Sequence, residues 1–143
     1  MFLGEFEHAL DDRGRVAIPA KWRGQLGDGL VVTRGIERCL FAWPMDEWRG
    51  ISQKLTQLSL MDADARRIHR FMFSGATDTV LDRLGRILLP SFLRDYADLR
   101  DTLALVGLMN RFEIWSHASW QAERSSTEDR SPQLAEHLFS LGV

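Results

Sequence analysis

The segment Leu10-Asp11-Asp12-Arg13-Gly14-Arg15-Val16-Ala17-Ile18-Pro19 returns 71 residues later as Leu81-Asp82-Arg83-Leu84-Gly85-Arg86-Ile87-Leu88-Leu89-Pro90. Across residues 4–23 and 75–94 seven positions are identical: Gly4/Gly75, Leu10/Leu81, Asp11/Asp82, Gly14/Gly85, Arg15/Arg86, Pro19/Pro90 and Arg23/Arg94. Further on, Leu30-Val31-Val32, Cys39-Leu40-Phe41-Ala42-Trp43 and Trp48 are echoed, after a gap of one or two residues, by Leu103-Ala104-Leu105-Val106, Phe112-Glu113-Ile114-Trp115 and Trp120. The chain is a tandem duplication of a unit of roughly 50 residues. One such unit buries too little surface to be comfortable alone, and two copies are too few for a solenoid. The repeat therefore predicts two halves fused about a pseudo-two-fold axis into one core, for which 143 residues with 45% apolar content suffice.

Each unit reads as strand, tight turn, strand, short helix, strand, turn, strand, helix. Phe6 to Leu10 and Arg15 to Ile18 flank Asp11-Asp12-Arg13-Gly14, a hairpin turn by composition: Asp caps its own turn and Gly accepts positive φ. Pro19 ends the strand and opens a helix. Leu30 to Thr33 and Cys39 to Trp43 are the next strands, and Pro44 opens a helix carrying Trp48, Ile51, Leu55 and Leu58 at helical spacing. A linker helix follows, capped by Asp62 or Asp64, with Ile68, Phe71 and Met72 as its apolar stripe and Arg66, Arg67 and Arg70 on the wetter side. Residues 125–132 are polar and expected to be mobile; Leu134, Leu138 and Leu141 suggest a last, weakly packed helix. The expected divisions are a first repeat at 1–50, a helical linker at 51–74, a second repeat at 75–123 and a polar tail at 124–143.

Several classes drop out. No apolar run reaches membrane-spanning length, and Met1-Phe2-Leu3-Gly4-Glu5 lacks the pattern of a signal peptide, so a soluble, cytoplasmic chain without membrane contact is expected. Cys39 stands alone on an apolar strand, an inert buried thiol on this reading, and the four histidines lie too far apart for a local zinc cluster; no metal is expected. The tryptophans Trp43, Trp48, Trp115 and Trp120 recur in matching places and, with Trp22, read as core. A net charge of −2 argues at first against nucleic acid, but residues 121–143 hold two cations and four acids, which leaves residues 1–120 neutral. Residues 11–38 carry six cations (Arg13, Arg15, Lys21, Arg23, Arg34, Arg38) against four acids (Asp11, Asp12, Asp28, Glu37).

The turn carries whatever chemistry the chain has. An Asp-x-x-x-Arg spacing across a tight turn brings carboxylate and guanidinium together, and a charge-assisted hydrogen bond then fixes the arginine rotamer. A fixed guanidinium is a preorganised fork of donors for phosphate or for a guanine edge. The plainer reading is a surface salt bridge worth at most about 1 kcal/mol. Against it, the two copies keep Asp11/Asp82 and Arg15/Arg86 while changing nearly everything exposed around them. Backbone geometry accounts for the retained Gly14/Gly85 and Pro19/Pro90, but not for retained Asp and Arg.

The start Phe2-x-Gly4, the motif Leu10-Asp11-x-x-Gly14-Arg15 with Pro19, Cys39-Leu40, Trp43-Pro44-x-x-Glu47-Trp48, Arg66-Arg67, Leu81-Asp82-x-x-Gly85-Arg86 and Val106-Gly107 with Phe112-Glu113-Ile114-Trp115 together resemble, over essentially the whole chain, the bacterial MraZ family. That family is encoded at the head of the division and cell-wall gene cluster and is built from two SpoVT-AbrB-type domains. The resemblance implies an α+β fold: a duplicated swapped-hairpin (AbrB-like) β-barrel with pseudo-two-fold symmetry and flanking helices. It also implies a ring-shaped homo-oligomer and a sequence-specific, nucleoid-associated transcriptional regulator that represses its own division and cell-wall operon by binding tandem promoter repeats. By position, the family's motif falls on Asp11/Arg15 and Asp82/Arg86, with Arg13 as the basic residue before the first glycine; in the second turn Leu84 takes that slot and the cation is Arg83. The DNA-binding residues expected are thus Arg13, Arg15, Arg86 and Arg83, oriented by Asp11 and Asp82 on turns made by Gly14 and Gly85, the first turn reading more strongly.

Two other functional classes compete with this one. Paired aspartates in a duplicated β protein bring an aspartic protease to mind, but an arginine four residues on holds each carboxyl ionised, the wrong state for a shared proton, and Asp-Thr/Ser-Gly is absent. Nucleophile motifs and a phosphate-binding glycine loop are also missing; no enzyme, cofactor or small-molecule substrate is expected. The alternative is an AbrB-like, antitoxin-type module that holds a protein partner through the tail, with Leu134, Leu138 and Leu141 as the discriminating stripe.

Overall fold

The computed structural model describes all 143 residues. The first half runs β1 (Glu5–Ala9), β2 (Arg15–Ala17), a 3₁₀ helix (Ala20–Leu26), β3 (Leu30–Arg34), β4 (Leu40–Pro44) and α1 (Met45–Thr56). The linker helix α2 (Ala63–Ser74) follows, with Asp62 as N-cap accepting the Asp64 N–H at 3.0 Å. The second half runs β5 (Thr77–Thr79), β6 (Arg86–Leu88), α3 (Ser91–Tyr96), β7 (Thr102–Gly107), β8 (Phe112–Ser116), α4 (His117–Asp129) and α5 (Ser131–Ser140).

Six strands form one antiparallel sheet in the order β1-β7-β8-β4-β3-β5, and β2 pairs only with β6. Exchanging every strand for its repeat counterpart (β1 for β5, β3 for β7, β4 for β8) gives the same order read backwards, so the pseudo-two-fold axis passes between β4 and β8 and between β2 and β6. The first strand of each half lies beside the third strand of the other. That exchange is the swap the resemblance implied, and the fold is α+β and duplicated with flanking helices. No closed barrel forms. β2 and β6 are three residues long and soon meet Pro19 and Pro90, which have no N–H to extend a ladder. The expected hairpin between β1 and β2 shrinks to the single bridge Leu10–Val16.

Eighteen buried residues from both halves form one core, among them Val16, Ile18, Leu30 and Leu40 from the first half and Ile87, Leu89, Leu103 and Ile114 from the second. Trp22 sits at its centre with Phe2, Phe6 and Phe112 around the indole at ring-centroid distances of 5.5, 5.2 and 5.2 Å. Trp43 and Trp115 are buried as expected; the half-buried Trp48 and Trp120 pack on Phe73 and Trp115. Leu58 lies beyond the end of α1, not on its stripe. Residues 125–132, expected to be mobile, instead extend α4 to Asp129 and begin α5 at Ser131. Ser116 caps α4 by accepting the Ser119 N–H at 3.1 Å. No helix is long and apolar enough to cross a membrane.

On the opposite sheet face, Cys39, Ala104, Val106 and Trp115 make a second small cluster. Burial pushes the Cys39 thiol up to about 12, so it stays protonated. Glu113 is buried beside it, accepting the Trp115 indole N–H at 3.0 Å, with Arg111 4.0 Å away. Burial raises its pKa above the ordinary glutamate value. An acid whose folded pKa is raised is favoured neutral by the fold, so its contribution is present at low pH and is lost as pH rises through the folded value. Glu113→Gln is expected to match the wild type near about pH 4 and to melt higher near about pH 7.5. Melting curves at both pH values check this; an equal difference at both would sink it.

Candidate nucleic-acid interface

The two turns are built alike. Asp11 accepts the backbone N–H of Arg13 at 2.9 Å and of Arg15 at 2.8 Å through Oδ1, and the Arg15 Nε at 2.7 Å through Oδ2. Asp82 accepts Leu84 N–H, Arg86 N–H and Arg86 Nε, each at 2.9 Å. One carboxylate thus closes the turn and locks the rotamer of the arginine that leaves it. The backbone N–H of Arg15, then its guanidinium and the Arg13 N–H, hold Asp11 below the ordinary carboxylate range; the Arg86 N–H and guanidinium, with the Leu84 N–H, do the same for Asp82. Both stay ionised where ordinary carboxyls begin to protonate, which is the opposite of a proton-sharing pair.

The swap places both motifs on one surface. In the β2–β6 ribbon Arg15 lies opposite Leu88 and Ala17 opposite Arg86. Val16 and Ile87 point into the core, so the alternation of a strand turns Arg15, Ala17, Arg86 and Leu88 outward together. Antiparallel pairing sets the two turns at opposite ends of the ribbon. Even so, Arg86 Nη1 comes within 3.9 Å of Asp11 Oδ2, so the first aspartate faces both arginines. The side chains of Arg15 and Arg86 keep 29% and 27% of their surface exposed, enough to present donors without losing their orientation. Arg13 and Arg83 are exposed on the turns and make no ion pair.

The linear count of cations does not survive folding as a cluster. Arg34 lies over the Phe71 and Tyr96 rings and donates to the Phe71 carbonyl at 3.1 Å, Arg38 lies over Tyr96, and Lys21 lies over Phe6. Arg66 donates to the Leu60 carbonyl and Arg67 pairs with Asp64.

Two arginines take a role that the sequence reading did not assign. Arg23 donates its Nε to the Ile18 carbonyl at 2.9 Å, and Arg94 donates to the Leu89 carbonyl at 2.9 Å. Each guanidinium then covers the turn glycine of the other half: a Cβ on Gly14 would lie 2.9 Å from Arg94 Cζ, and one on Gly85 would overlap Arg23. The turn carbonyls complete the exchange, Gly85 O accepting Ile18 N–H at 2.9 Å and Gly14 O accepting Leu89 N–H at 2.8 Å. The identity of Arg23 and Arg94 within the repeat is the signal that pointed to them. With φ at +76° and a Cβ that would push the Arg23 guanidinium off the Ile18 carbonyl, Gly85→Ala is expected to cost about 2–3 kcal/mol, lowering the melting temperature by about 5–10 °C. Gly50→Ala, on α1 with nothing near its Cβ, should instead stabilise by up to about 1 kcal/mol. Thermal melts of the pair check the contrast.

Comparisons with known proteins place the chain in a family. A family model described as "MraZ protein, putative antitoxin-like" matches residues 1–71 and again 72–140. A protein of Natranaerobius thermophilus, "Transcriptional regulator MraZ", is 46% identical over 143 residues, covering all of both chains. Proteins of the same name from Halothermothrix orenii and Moorella thermoacetica are 45% and 46% identical, again over the full length of both chains. With both halves matched by the family model and full-length relatives at this identity, the chain belongs to the MraZ family.

Proposed function

We propose that the chain is a sequence-specific DNA-binding transcriptional regulator, not an enzyme, that reads DNA with the outer face of the β2–β6 ribbon. One observation carries this reading: two guanidinium forks, each locked by a carboxylate, lie diagonally across the same face of a two-stranded ribbon. The major groove of B-DNA admits such a ribbon, and a bidentate arginine on guanine O6 and N7 is the commonest specific contact there. Arg15 and Arg86 are the base readers, Asp11 and Asp82 orient them, Gly14 and Gly85 shape the turns, and Arg13 and Arg83 hold phosphates.

A chain with a net charge of −2 cannot hold DNA by general electrostatics. A few placed arginines must be used many times, which a ring of copies on tandem promoter repeats achieves through high effective concentration. Helices α1 and α2 support such an assembly: no residue of α1 is fully buried within the chain, and Ile68 on α2 stays exposed. We assign reading to repeats 1–50 and 75–123 and assembly to the linker 51–74. The promoter of the chain's own division and cell-wall operon is the target we infer, with repression as the outcome in the cytoplasm, at the nucleoid, without cofactor. Footprinting of the duplex upstream of its own gene at several salt concentrations tests this. Tandem protected repeats whose protection fades steeply with salt are expected; no protection overturns it.

A second reading has its own observation. Leu134, Leu138 and Leu141 on and just past α5 stay exposed and line a cavity of about 620 Å³ with Thr127 and Glu128 of α4. This is where the protein partner of an antitoxin-type module would seat. Deleting the tail (124–143) would then abolish partner capture, whereas on the first reading DNA binding survives it.

A further inference from the structure

The motif residues match between the halves, but the outward residues beside them do not. Asp12, Arg13 and Ala17 of the first half correspond to Arg83, Leu84 and Leu88 of the second. Leu88 is the notable member. It lies in the ribbon itself, directly opposite Arg15, and 54% of its surface is exposed. Its counterpart Ala17, opposite Arg86, shows that the fold requires no bulk at this register. A single exposed leucine on a surface normally calls for no explanation. This one shares a two-stranded face only three residues deep with the two locked arginines.

Resting on the reading that this ribbon face enters the major groove, we infer that Leu88 is a specificity-determining residue whose methyl groups contact the C5-methyl of a thymine beside the base pair read by Arg15. Directly opposed residues on a ribbon hold their Cβ atoms about 5 Å apart, so the tips of Arg15 and Leu88 fall on the same or adjacent base pairs. Thymine is the one base that offers an apolar group to the major groove. The pseudo-dyad is therefore chemically broken: one end of the ribbon reads with a guanidinium and an isobutyl group, the other with a guanidinium and the short Ala17. A reader of this kind has a direction. The element it reads is asymmetric, because turning the chain about its dyad puts Ala17 where the thymine methyl awaits Leu88.

The test uses the full chain and a duplex it selects from a random-sequence pool. Each thymine of that duplex is replaced in turn by deoxyuridine, which removes only the C5-methyl and leaves pairing intact. One thymine per contacted element is expected to matter, its replacement weakening wild-type binding about 3–10-fold. Leu88→Ala should bind the unmodified duplex weaker by a similar factor and be indifferent to that replacement, while Leu84→Ala keeps the sensitivity. If no thymine methyl matters, or if Leu88→Ala stays sensitive, Leu88 has no such role. These outcomes leave the DNA-reading assignment standing when Arg15→Ala still loses the selected sequence. A wild-type chain that selects no sequence from the pool overturns both.

Discussion

Arg15→Ala is expected to weaken binding to the selected duplex about 100-fold while moving the melting temperature by no more than about 2 °C. The first figure follows from losing a bidentate base contact, about 1–3 kcal/mol of discrimination for each copy engaged. The second follows from the partial exposure of the Asp11–Arg15 pair, since an ion pair that water reaches adds little stability. Arg86→Ala should cost about 10-fold, because the second turn offers Leu84 where the first offers Arg13. Arg15→Lys separates the two kinds of contact. It keeps the charge and loses the fork, so binding to unrelated DNA should persist while preference for the selected sequence goes. Asp11→Asn is the sharper probe of preorganisation: an amide oxygen can still close the turn on the Arg13 and Arg15 N–H groups but no longer holds two guanidinium ions. It should cost more than Asp82→Asn, whose carboxylate faces Arg86 alone. Fluorescence anisotropy with selected and scrambled duplexes measures all five; if Arg15→Ala and Arg86→Ala both bind like wild type, the ribbon is not the reading face.

The 71-residue offset foretold the symmetry of the fold, because glycine, aspartate, arginine and proline in register specify a turn that must occur twice. Strand partners were a different matter. Local order pairs β1 with β2 across a four-residue turn, yet β1 lies beside β7 and β2 beside β6. What decides is non-local: the inward residues Val16 and Ile87 fit one another's half, and no local pattern reports that. The family resemblance supplied the swap. The cation count misled for the same reason, since Arg34 and Arg38 share the 11–38 stretch with Arg15 but lie over Tyr96. The polar stretch 125–132 carries no apolar period of its own; its first residues are helical because they continue α4, which Ser116 caps and Trp120 anchors on Trp115. The carboxylate–arginine pairs were legible because their geometry is wholly local, four residues across a tight turn.

Trp22→Ala should destabilise the chain by about 3–5 kcal/mol, lowering the melting temperature by roughly 10–15 °C. The indole is 1% exposed and three rings depend on it: Phe2 at the N-terminal bridge, Phe6 on β1 and Phe112 on β8. They come from both halves, so the cavity would open at the seam between the repeats. The size of the loss is not set by area alone, because the Trp22 indole N–H is buried without a partner, a polar atom the core would be better without. Trp22→Phe keeps the ring contacts and removes that group, so it should cost least of the three variants. Trp22→Leu installs the residue that Leu93 supplies in the other half but loses the edge-to-face contacts, and should fall between them. The order Phe, Leu, Ala in thermal melts is the expected outcome; Phe falling as far as Ala would mean that the indole N–H is satisfied after all. Binding should follow stability only in the alanine variant. Trp22 precedes Arg23 on the 3₁₀ helix, and Arg23 covers the Gly85 turn, so a helix that loses its anchor releases the clamp on the opposite arginine motif.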